Sequence, residues 1–230
     1  MSPATAPQLA DVLRSVRHVL LDFDGPLCSI FANLPAKDVA HQLYMGLRED
    51  GLPEEWRSET DPLALLRRVD DDRPSLVIAA DRALARLEEA AARSATATLG
   101  GESLLKACLS SERSVWIVSN NSSGAIRTYL EVHGLQNYVA GIFGRISGKP
   151  SAMKPDPRLL TDAMSAATAS PTECIFIGDA VRDVQAGHAV GVSTIGYANK
   201  PGKDISLRQA GAIAVVDSMQ IIADALDSFP

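Results

Sequence analysis

The stretch VLLDFDGPLC, residues Val19 to Cys28, sets the interpretation of the whole chain. A short apolar run ends in Asp22 and Asp24, which are separated by one phenylalanine, and a Gly-Pro turn signal follows at once. A short apolar run bounded by a turn is typical of a buried strand. Two carboxylates this close raise the cost of each other's ionisation unless a cation or a substrate lies between them. The stretch therefore predicts a buried strand that leads into a functional site.

Further apolar runs alternate with segments of helical periodicity, as in a parallel sheet covered by helices on both faces. The predicted strands are His18–Phe23, Ser114–Val118, Val139–Phe143, Cys174–Ile177, Val192–Ile195 and Ala212–Val216. The predicted crossover helices are Ala125–Val132, Arg158–Ala167 and Val181–Val190. The sequence therefore predicts an α/β fold, a Rossmann-like three-layer α/β/α core built on a parallel sheet.

One connection is too long for a single crossover helix. About 90 residues separate Asp24 from Ser114, and they carry helix signals with little strand character. We therefore predict a discontinuous α/β core at residues 1–28 and 96–230, with a small helical domain inserted at residues 29–95.

The inserted segment contains signals for three helices. Apolar residues recur every four positions from Val39 to Leu47, and Gly51 follows as a helix stop. Asp61 precedes a proline and is typical of an N-cap, and Ser75 can cap the third helix.

Composition and charge exclude some classes of protein. Of the 230 residues, 46% are hydrophobic, which is enough for one full core and a smaller second unit. The formal net charge of -6 provides no basic surface for a nucleic-acid backbone. Cys28, Cys108 and Cys174 lack metal or redox spacing, and no apolar run approaches the length of a signal peptide core or a membrane span. We therefore expect a cytoplasmic monomer or homodimer with no nucleic-acid and no membrane partner.

Polar residues occupy the positions where predicted strands end. Ligands in open α/β sheets bind beyond the carboxyl ends of the strands, so these side chains are expected to meet there. They are Asp22, Asp24, Ser119, Asn120, Asn121, Asp179 and, four residues further, Asp183, with Lys154 in a proline-rich loop.

Four segments in sequence order, DFDGP, SNN, KPDP and GDAVRD, resemble the four motifs of the haloacid dehalogenase superfamily. Most members of that superfamily are magnesium-dependent phosphatases. Each motif alone is weak, but here all four lie at predicted strand ends or loops. The helical insertion directly after the first motif is similar to the family's cap of the first type.

The resemblance assigns roles to the residues that match its motifs. Asp22 would be the nucleophile that forms an aspartyl-phosphate, and Asp24 the general acid and base. Ser119 and Lys154, with the backbone amides of Phe23 and Asn120, would bind the phosphoryl oxygens.

The resemblance also implies a magnesium ion. Asp22, the backbone carbonyl of Asp24 and the carboxylate of Asp179 would be its ligands. Asp183 would hold a metal-bound water or orient Lys154.

Several of these residues also have purely structural interpretations. DGP could be only a turn, SNNSS could only cap a helix, and Asp179 and Asp183 could be acids at and near a helix N-terminus. Lys149, which also precedes a proline, is a rival to Lys154, and the KPDP segment favours Lys154. Pro26 departs from the family, which usually has Thr or Val at this position.

We therefore expect a magnesium-dependent phosphatase that hydrolyses a small phosphorylated metabolite. A sugar-phosphate mutase of the same fold and a non-catalytic phosphoester-binding protein stay open as alternatives. The presence of Asp24 disfavours a dehalogenase, since dehalogenases of this family lack that carboxylate. Candidate contacts for the leaving group are Ser29, Phe31, Asn33, Arg67 and Arg68.

Overall fold

The computed structural model describes residues 4–228, so residues 1–3 and 229–230 of the predicted core lie outside the described chain. In chain order its strands are β1 (His18–Leu21), β2 (Cys28–Ser29), β3 (Thr96–Ala97), β4 (Ser114–Ser122), β5 (Gly141–Arg145), β6 (Cys174–Gly178), β7 (Ser193–Tyr197) and β8 (Ala214–Val216). Six of these described strands form one parallel sheet in the order β5-β4-β1-β6-β7-β8. β2 pairs with β3 in a separate antiparallel ribbon.

Residues 4–228 also form ten α-helices, most of which cover the two faces of the sheet. They are α1 (Ala6–Leu13), α2 (Ala36–Leu47), α3 (Pro62–Asp72), α4 (Val77–Ala92), α5 (Gly101–Ser110), α6 (Ser123–His133), α7 (Arg158–Ala167), α8 (Val181–Ala189), α9 (Lys203–Gln209) and α10 (Met219–Asp227). One hydrophobic cluster joins α1, α5, α6 and α10 to the sheet, and α7, α8 and α9 pack on the other face. This arrangement confirms the predicted three-layer α/β/α fold. None of these helices is both long and apolar enough to cross a membrane.

β1 is at the centre of the sheet and positions the site. His18 pairs with Ser114 of β4 on one side and with Cys174 of β6 on the other. Because the three strands are parallel, their carboxyl ends lie at one edge, where the chain leaves β1 between two neighbours. Asp22 directly after β1, Ser119 near the end of β4 and Asp179 directly after β6 therefore lie side by side.

In the sequence, the helices α2, α3 and α4 come after β2 and before β3. They share a hydrophobic cluster of their own. Val39, Leu43 and Leu47 of α2 are buried in it, as their spacing predicts, and Met153 from the core joins the same cluster. The inserted helices thus contact the core as well as each other. Their assignment to a domain at residues 29–95 stays a prediction.

The structure differs from the predictions at some boundaries. β1 ends at Leu21, two residues earlier than predicted, and β4 continues to Ser122. The predicted cap at Ser75 is wrong, because a 3-10 turn over Pro74–Leu76 continues directly into α4 without a side-chain cap. The sequence does not predict the β2–β3 ribbon, since strands of two residues show no periodicity.

Asp61 is the N-cap of α3, as predicted, and its Oδ1 accepts hydrogen bonds from the N–H groups of Leu63 (2.8 Å) and Ala64 (3.4 Å). We expect Asp61→Ala to lower the free energy of unfolding by about 1 kcal/mol, because both amides lose their acceptor. Urea denaturation followed by circular dichroism measures this change. The control is Asp72→Ala at the other end of α3, where removal of an acid should not destabilise the helix. Equal losses in the two variants would contradict the capping role.

Candidate functional site

Asp22 begins the loop that follows β1. Its backbone N–H donates to the carbonyl of Ile177 at 2.9 Å, which fixes the start of the loop against β6. Its carboxylate is 4% exposed and accepts a hydrogen bond from the Phe23 N–H at 2.7 Å. Gly25 has a φ of 108°, and a Cβ at this position would lie 2.5 Å from Cγ of Asp179. Glycine therefore allows the loop to pass directly over the Asp179 carboxylate.

Lys154 is fully buried between two acids. Its Nζ lies 3.0 Å from Oδ1 of Asp22 and 2.8 Å from Oδ1 of Asp183, and it donates to the Val118 carbonyl at 3.0 Å. Burial lowers the pKa of Lys154, but the two carboxylates outweigh this effect and hold the pKa above its ordinary value. The rival Lys149 is exposed. Lys154 is thus the charged lysine of this site.

The polar run at the end of β4, residues 119–122, positions Lys154 and leads into the next helix. Asn120 Nδ2 donates to the Lys154 carbonyl at 3.1 Å, and the Lys154 N–H donates to Asn120 Oδ1 at 2.8 Å. Ser119 Oγ donates to Oδ1 of Asn121 at 3.2 Å. Ser122 is the N-cap of α6 and accepts a hydrogen bond from a backbone N–H of that helix at 3.2 Å. The run therefore both caps a helix and places polar groups beside Asp22.

Asp22 and Asp24 have different environments. Oδ1 of Asp24 accepts a hydrogen bond from the Ile30 N–H at 3.0 Å. Burial raises the pKa of Asp24 to about 6, although this hydrogen bond opposes the shift. Burial also raises the pKa of Asp22, against the attraction of Lys154 and with added repulsion from Asp183. A carboxyl group with a pKa near 6 can exchange protons near neutral pH, as an acid and base catalyst must.

Asp22, Asp179 and Asp183 form an acidic cluster in which one oxygen of each lies within 4.8 Å of the others. Asp179 is also paired with Lys203. Carboxylate oxygens are the ligands that Mg²⁺ prefers, so this donor set fits a hard divalent cation. The side chain of Asp24 is not part of the cluster that the described residues form, and its predicted backbone-carbonyl ligand stays a prediction.

Two predicted phosphate contacts have side chains that are already engaged. The Phe23 ring is buried edge-on against Tyr129, with ring centroids 5.3 Å apart. The side chain of Asn120 uses its oxygen and its nitrogen to hold the backbone of Lys154. A phosphoryl group could therefore contact Phe23 and Asn120 only through their backbone N–H groups, and this stays a prediction.

A pocket of about 210 Å³ lies beyond the strand ends. Its core side is lined by the predicted catalytic residues Asp22, Asp24, Ser119 and Lys154. Residues 60–63, at the start of α3, form the opposite wall. A second cavity of about 540 Å³ adjoins it at Asp24 and extends past Asp179 and Ser29. The inserted helices therefore cover the predicted catalytic residues.

The candidate leaving-group contacts separate into two groups. Phe31 lines both cavities and Ser29 lines the second one. Asn33 instead donates to a backbone carbonyl at the end of the insertion at 2.6 Å. Arg68 lies over the ring of a tryptophan of the insertion, with its Cζ 4.8 Å from the centroid, whereas Arg67 contacts the core.

A buried ion cluster joins α4 to the core, and we call Arg145, Asp81 and Glu88 the Arg145 cluster. Arg145 Nε lies 2.6 Å from Oδ1 of Asp81, and its two terminal nitrogens donate to Glu88 at 2.8 and 3.0 Å. Arg145 also donates to the Asn120 carbonyl at 2.8 Å, and Glu88 accepts from the Ser122 N–H at 2.9 Å. The Arg145 cluster thus holds the backbone of the polar run beside Asp22.

The sequence does not predict the Arg145 cluster. Asp81 and Glu88 lie on a helix that also carries exposed charged residues, so they are expected to be solvated. Arg145 follows Glu88 by 57 residues, and no local pattern connects them. Sequence analysis also does not single out Lys203 or Arg182, which lie close to the acids of the site.

Comparisons with known proteins agree with this architecture. A family model described as haloacid dehalogenase-like hydrolase matches residues 32–197. No curated protein matches the chain. Among solved structures, CbbY from Rhodobacter sphaeroides in complex with phosphate has a TM-score of 0.70 at 16% identity, over 92% of this chain and 99% of that one.

Two further structures are similar over comparable lengths. A predicted phosphatase from Clostridium acetobutylicum has a TM-score of 0.72 at 20% identity, covering 90% of this chain and 96% of its own. A predicted phosphoglycolate phosphatase from Haemophilus somnus has a TM-score of 0.64 at 17% identity, with the same coverage of 90% and 96%. At these identities the likeness establishes the fold. Because the family model spans well over half of the sequence, the chain belongs to the haloacid dehalogenase-like hydrolases.

Proposed function

We propose that the protein is a phosphatase that hydrolyses a small-molecule phosphate monoester through an aspartyl-phosphate at Asp22. The observation that carries this proposal is the buried contact between Asp22 and Lys154, at 3.0 Å, in the same pocket as Asp24. A nucleophile, a cation and a proton-exchanging acid are the groups that this chemistry requires. The phosphate bound to the similar CbbY structure and the two similar predicted phosphatases support it.

The reaction divides into two steps. The Asp22 carboxylate attacks phosphorus and the bond to the leaving alkoxide breaks, while Asp24 in its acid form donates a proton to that alkoxide. Asp24 then accepts a proton from the water that cleaves the aspartyl-phosphate. Ser119 Oγ and Lys154 Nζ stabilise the negative charge on the phosphoryl oxygens, and Asp183 keeps Lys154 oriented.

Asp22, Asp179 and Asp183 would hold a magnesium ion. When bound, this ion reduces the repulsion between the attacking carboxylate and the phosphate. The pairing of Asp179 with Lys203 and the close passage of Gly25 restrict the movement of the Asp179 carboxylate.

We further propose that α2, α3 and α4 act as a cap over the substrate, with residues 29–95 as its domain. The walls that residues 60–63 and Phe31 provide would exclude bulk water from the phosphoester. A pocket of about 210 Å³ suits a small phosphorylated metabolite. The cytoplasmic location and the monomeric or homodimeric state stay predictions.

Removal of divalent cations is expected to lower phosphate release at least about a hundredfold, because no metal then offsets the repulsion between the attacking carboxylate and the phosphate. Phosphate release is measured before and after dialysis against a chelator. Restoration by Mg²⁺ with an unchanged circular dichroism spectrum is the control for a loss of folding. Full activity in the presence of excess chelator would contradict the assignment of Asp22, Asp179 and Asp183 as metal ligands.

A panel of phosphorylated metabolites tests the proposed function itself. Sustained phosphate release in the presence of Mg²⁺ supports a phosphatase. Conversion of a phosphosugar into its isomer without phosphate release would indicate a mutase. Binding without either reaction would indicate a non-catalytic phosphoester-binding protein.

A further inference from the structure

Two neighbouring arginines lie at one wall of the pocket, which Arg182 lines directly. Arg182, the second residue of α8, lines the pocket together with Asp22 and Asp61. Arg67 on α3 reaches from the inserted helices to the core and donates from Nη2 to the Lys154 carbonyl at 3.1 Å. Burial, followed by the like charge of Arg182, lowers the pKa of Arg67. Two guanidinium groups, one from each part of the chain, therefore act on each other at this wall.

Neither arginine has a close ionic partner. Among residues 4–228, neither guanidinium forms a salt bridge, and Nε of Arg182 is buried without a hydrogen-bond partner. Asp61 is near both of them, but its carboxylate is used as the N-cap of α3. The acids of the site attract Arg182 without forming a salt bridge with it, so its charge is only partly compensated. A partly buried guanidinium with an unpartnered N–H can bind an anion in the pocket.

The transferred phosphoryl group has other partners. Lys154 lies at Asp22, where phosphorus would be attacked, and Ser119 and the proposed metal ligands surround the same point. Arg182 lines the same pocket as Asp22 and the start of α3, so it is within reach of a leaving group that binds between them. A guanidinium binds carboxylates and phosphates through two parallel hydrogen bonds, which makes it selective for such groups.

We propose that Arg182, assisted by Arg67, binds a second anionic group on the alcohol portion of the substrate. The substrate class is then phosphate monoesters that carry a carboxylate or a second phosphate a few atoms from the ester. This inference rests on the proposed function and adds the identity of the leaving group. A pocket of about 210 Å³ has room for an ester in which a short carbon chain joins the two anionic groups.

Matched substrates test the inference. Phosphoglycolate has a carboxylate where ethyl phosphate has a methyl group. Ethylene glycol bisphosphate carries a second phosphate on that carbon instead. The wild-type protein is expected to have at least about tenfold higher kcat/KM for one of the two anionic esters than for ethyl phosphate. Arg182→Gln is expected to remove this preference, so that kcat/KM falls at least about tenfold more for the preferred anionic ester than for ethyl phosphate. Arg182→Lys is expected to restore part of it, since the charge is retained without the paired donors.

Two further arginine variants serve as comparisons. Arg67→Gln should weaken the preference in the same direction, whereas Arg86→Gln, an exposed arginine of α4, should not change it. An equal loss on all three esters in Arg182→Gln would place Arg182 on the transferred phosphoryl group and overturn the inference. Absence of any preference in the wild-type protein would overturn it as well.

Calorimetry separates this inference from the proposed function. If no ester is hydrolysed, the same three compounds are titrated into the wild-type and Arg182→Gln proteins. Tighter binding of an anionic ester that Arg182→Gln abolishes supports the second anion site while the phosphatase proposal fails. Equal binding of all three compounds overturns the anion site.

Discussion

Replacement of Asp22 by asparagine is expected to lower phosphate release by at least about 10³-fold, because the variant lacks the carboxylate that forms the covalent intermediate. The amide nearly retains the shape of the side chain, so the loop between β1 and the inserted helices should keep its path. Lys154 Nζ lies 3.0 Å from Oδ1 of Asp22. The uncharged amide oxygen of asparagine could still accept this hydrogen bond. The expected loss is therefore chemical rather than structural.

The measurement is phosphate release with the best ester of the panel, together with a thermal melt that tests folding. Asp11→Asn is a matched control, since Asp11 is an exposed acid of α1 that pairs only with Arg14 in the described chain. It should leave turnover unchanged. If Asp22→Asn also retained turnover, another group would have to be the nucleophile.

Replacement of Arg145 by methionine is expected to lower the free energy of unfolding by about 3–5 kcal/mol, the largest stability effect that we expect. Methionine fills a similar volume but leaves Asp81 and Glu88 buried without their cation. The guanidinium and both carboxylates are almost inaccessible to solvent, with 0%, 6% and 0% of the side chains exposed. Breaking a buried pair by removing one partner is costly because an uncompensated charge remains.

Urea denaturation gives this value from the midpoint and slope of the transition. Arg158→Met is the matched control, since Arg158 pairs with Asp162 at 2.8 Å on the exposed surface of α7. Surface pairs of this kind contribute little, so its transition should hardly move. A similar small effect in both variants would mean that water or rearrangement compensates the acids of the Arg145 cluster.

The parts of the site that the sequence predicts are those encoded by local patterns. Each apolar run that forms β1, β4 or β6 is followed directly by its functional residues, so parallel pairing alone places Asp22, Ser119 and Asp179 at one edge. Asp61 is predictable for the same reason, because an N-cap and a following proline are neighbours in sequence. Lys154 requires the family resemblance, since its loop has no periodicity.

The remaining features depend on how distant segments pack. Arg145 meets Asp81 and Glu88 across 64 and 57 residues, and only the docking of α4 on the core brings them together. The position of Arg182 beside Arg67 likewise results from that docking. Ser75 shows the opposite case, in which a residue with cap-forming chemistry is bypassed because the preceding proline begins a turn that is continuous with the helix.

The Arg145 cluster has a mechanical consequence for the inserted helices. The chain crosses between the core and these helices at β2 and β3, which pair with each other and therefore form a single narrow hinge. Asp81 lies 11 residues before Ala92, the last residue of α4, or about 16 Å along the helix axis. Its contact with Arg145 is a third attachment point far from the hinge, so α4 cannot rotate away from the core without exposing three charged groups. The Arg145 cluster therefore opposes any opening of the pocket in which α4 moves away from the core.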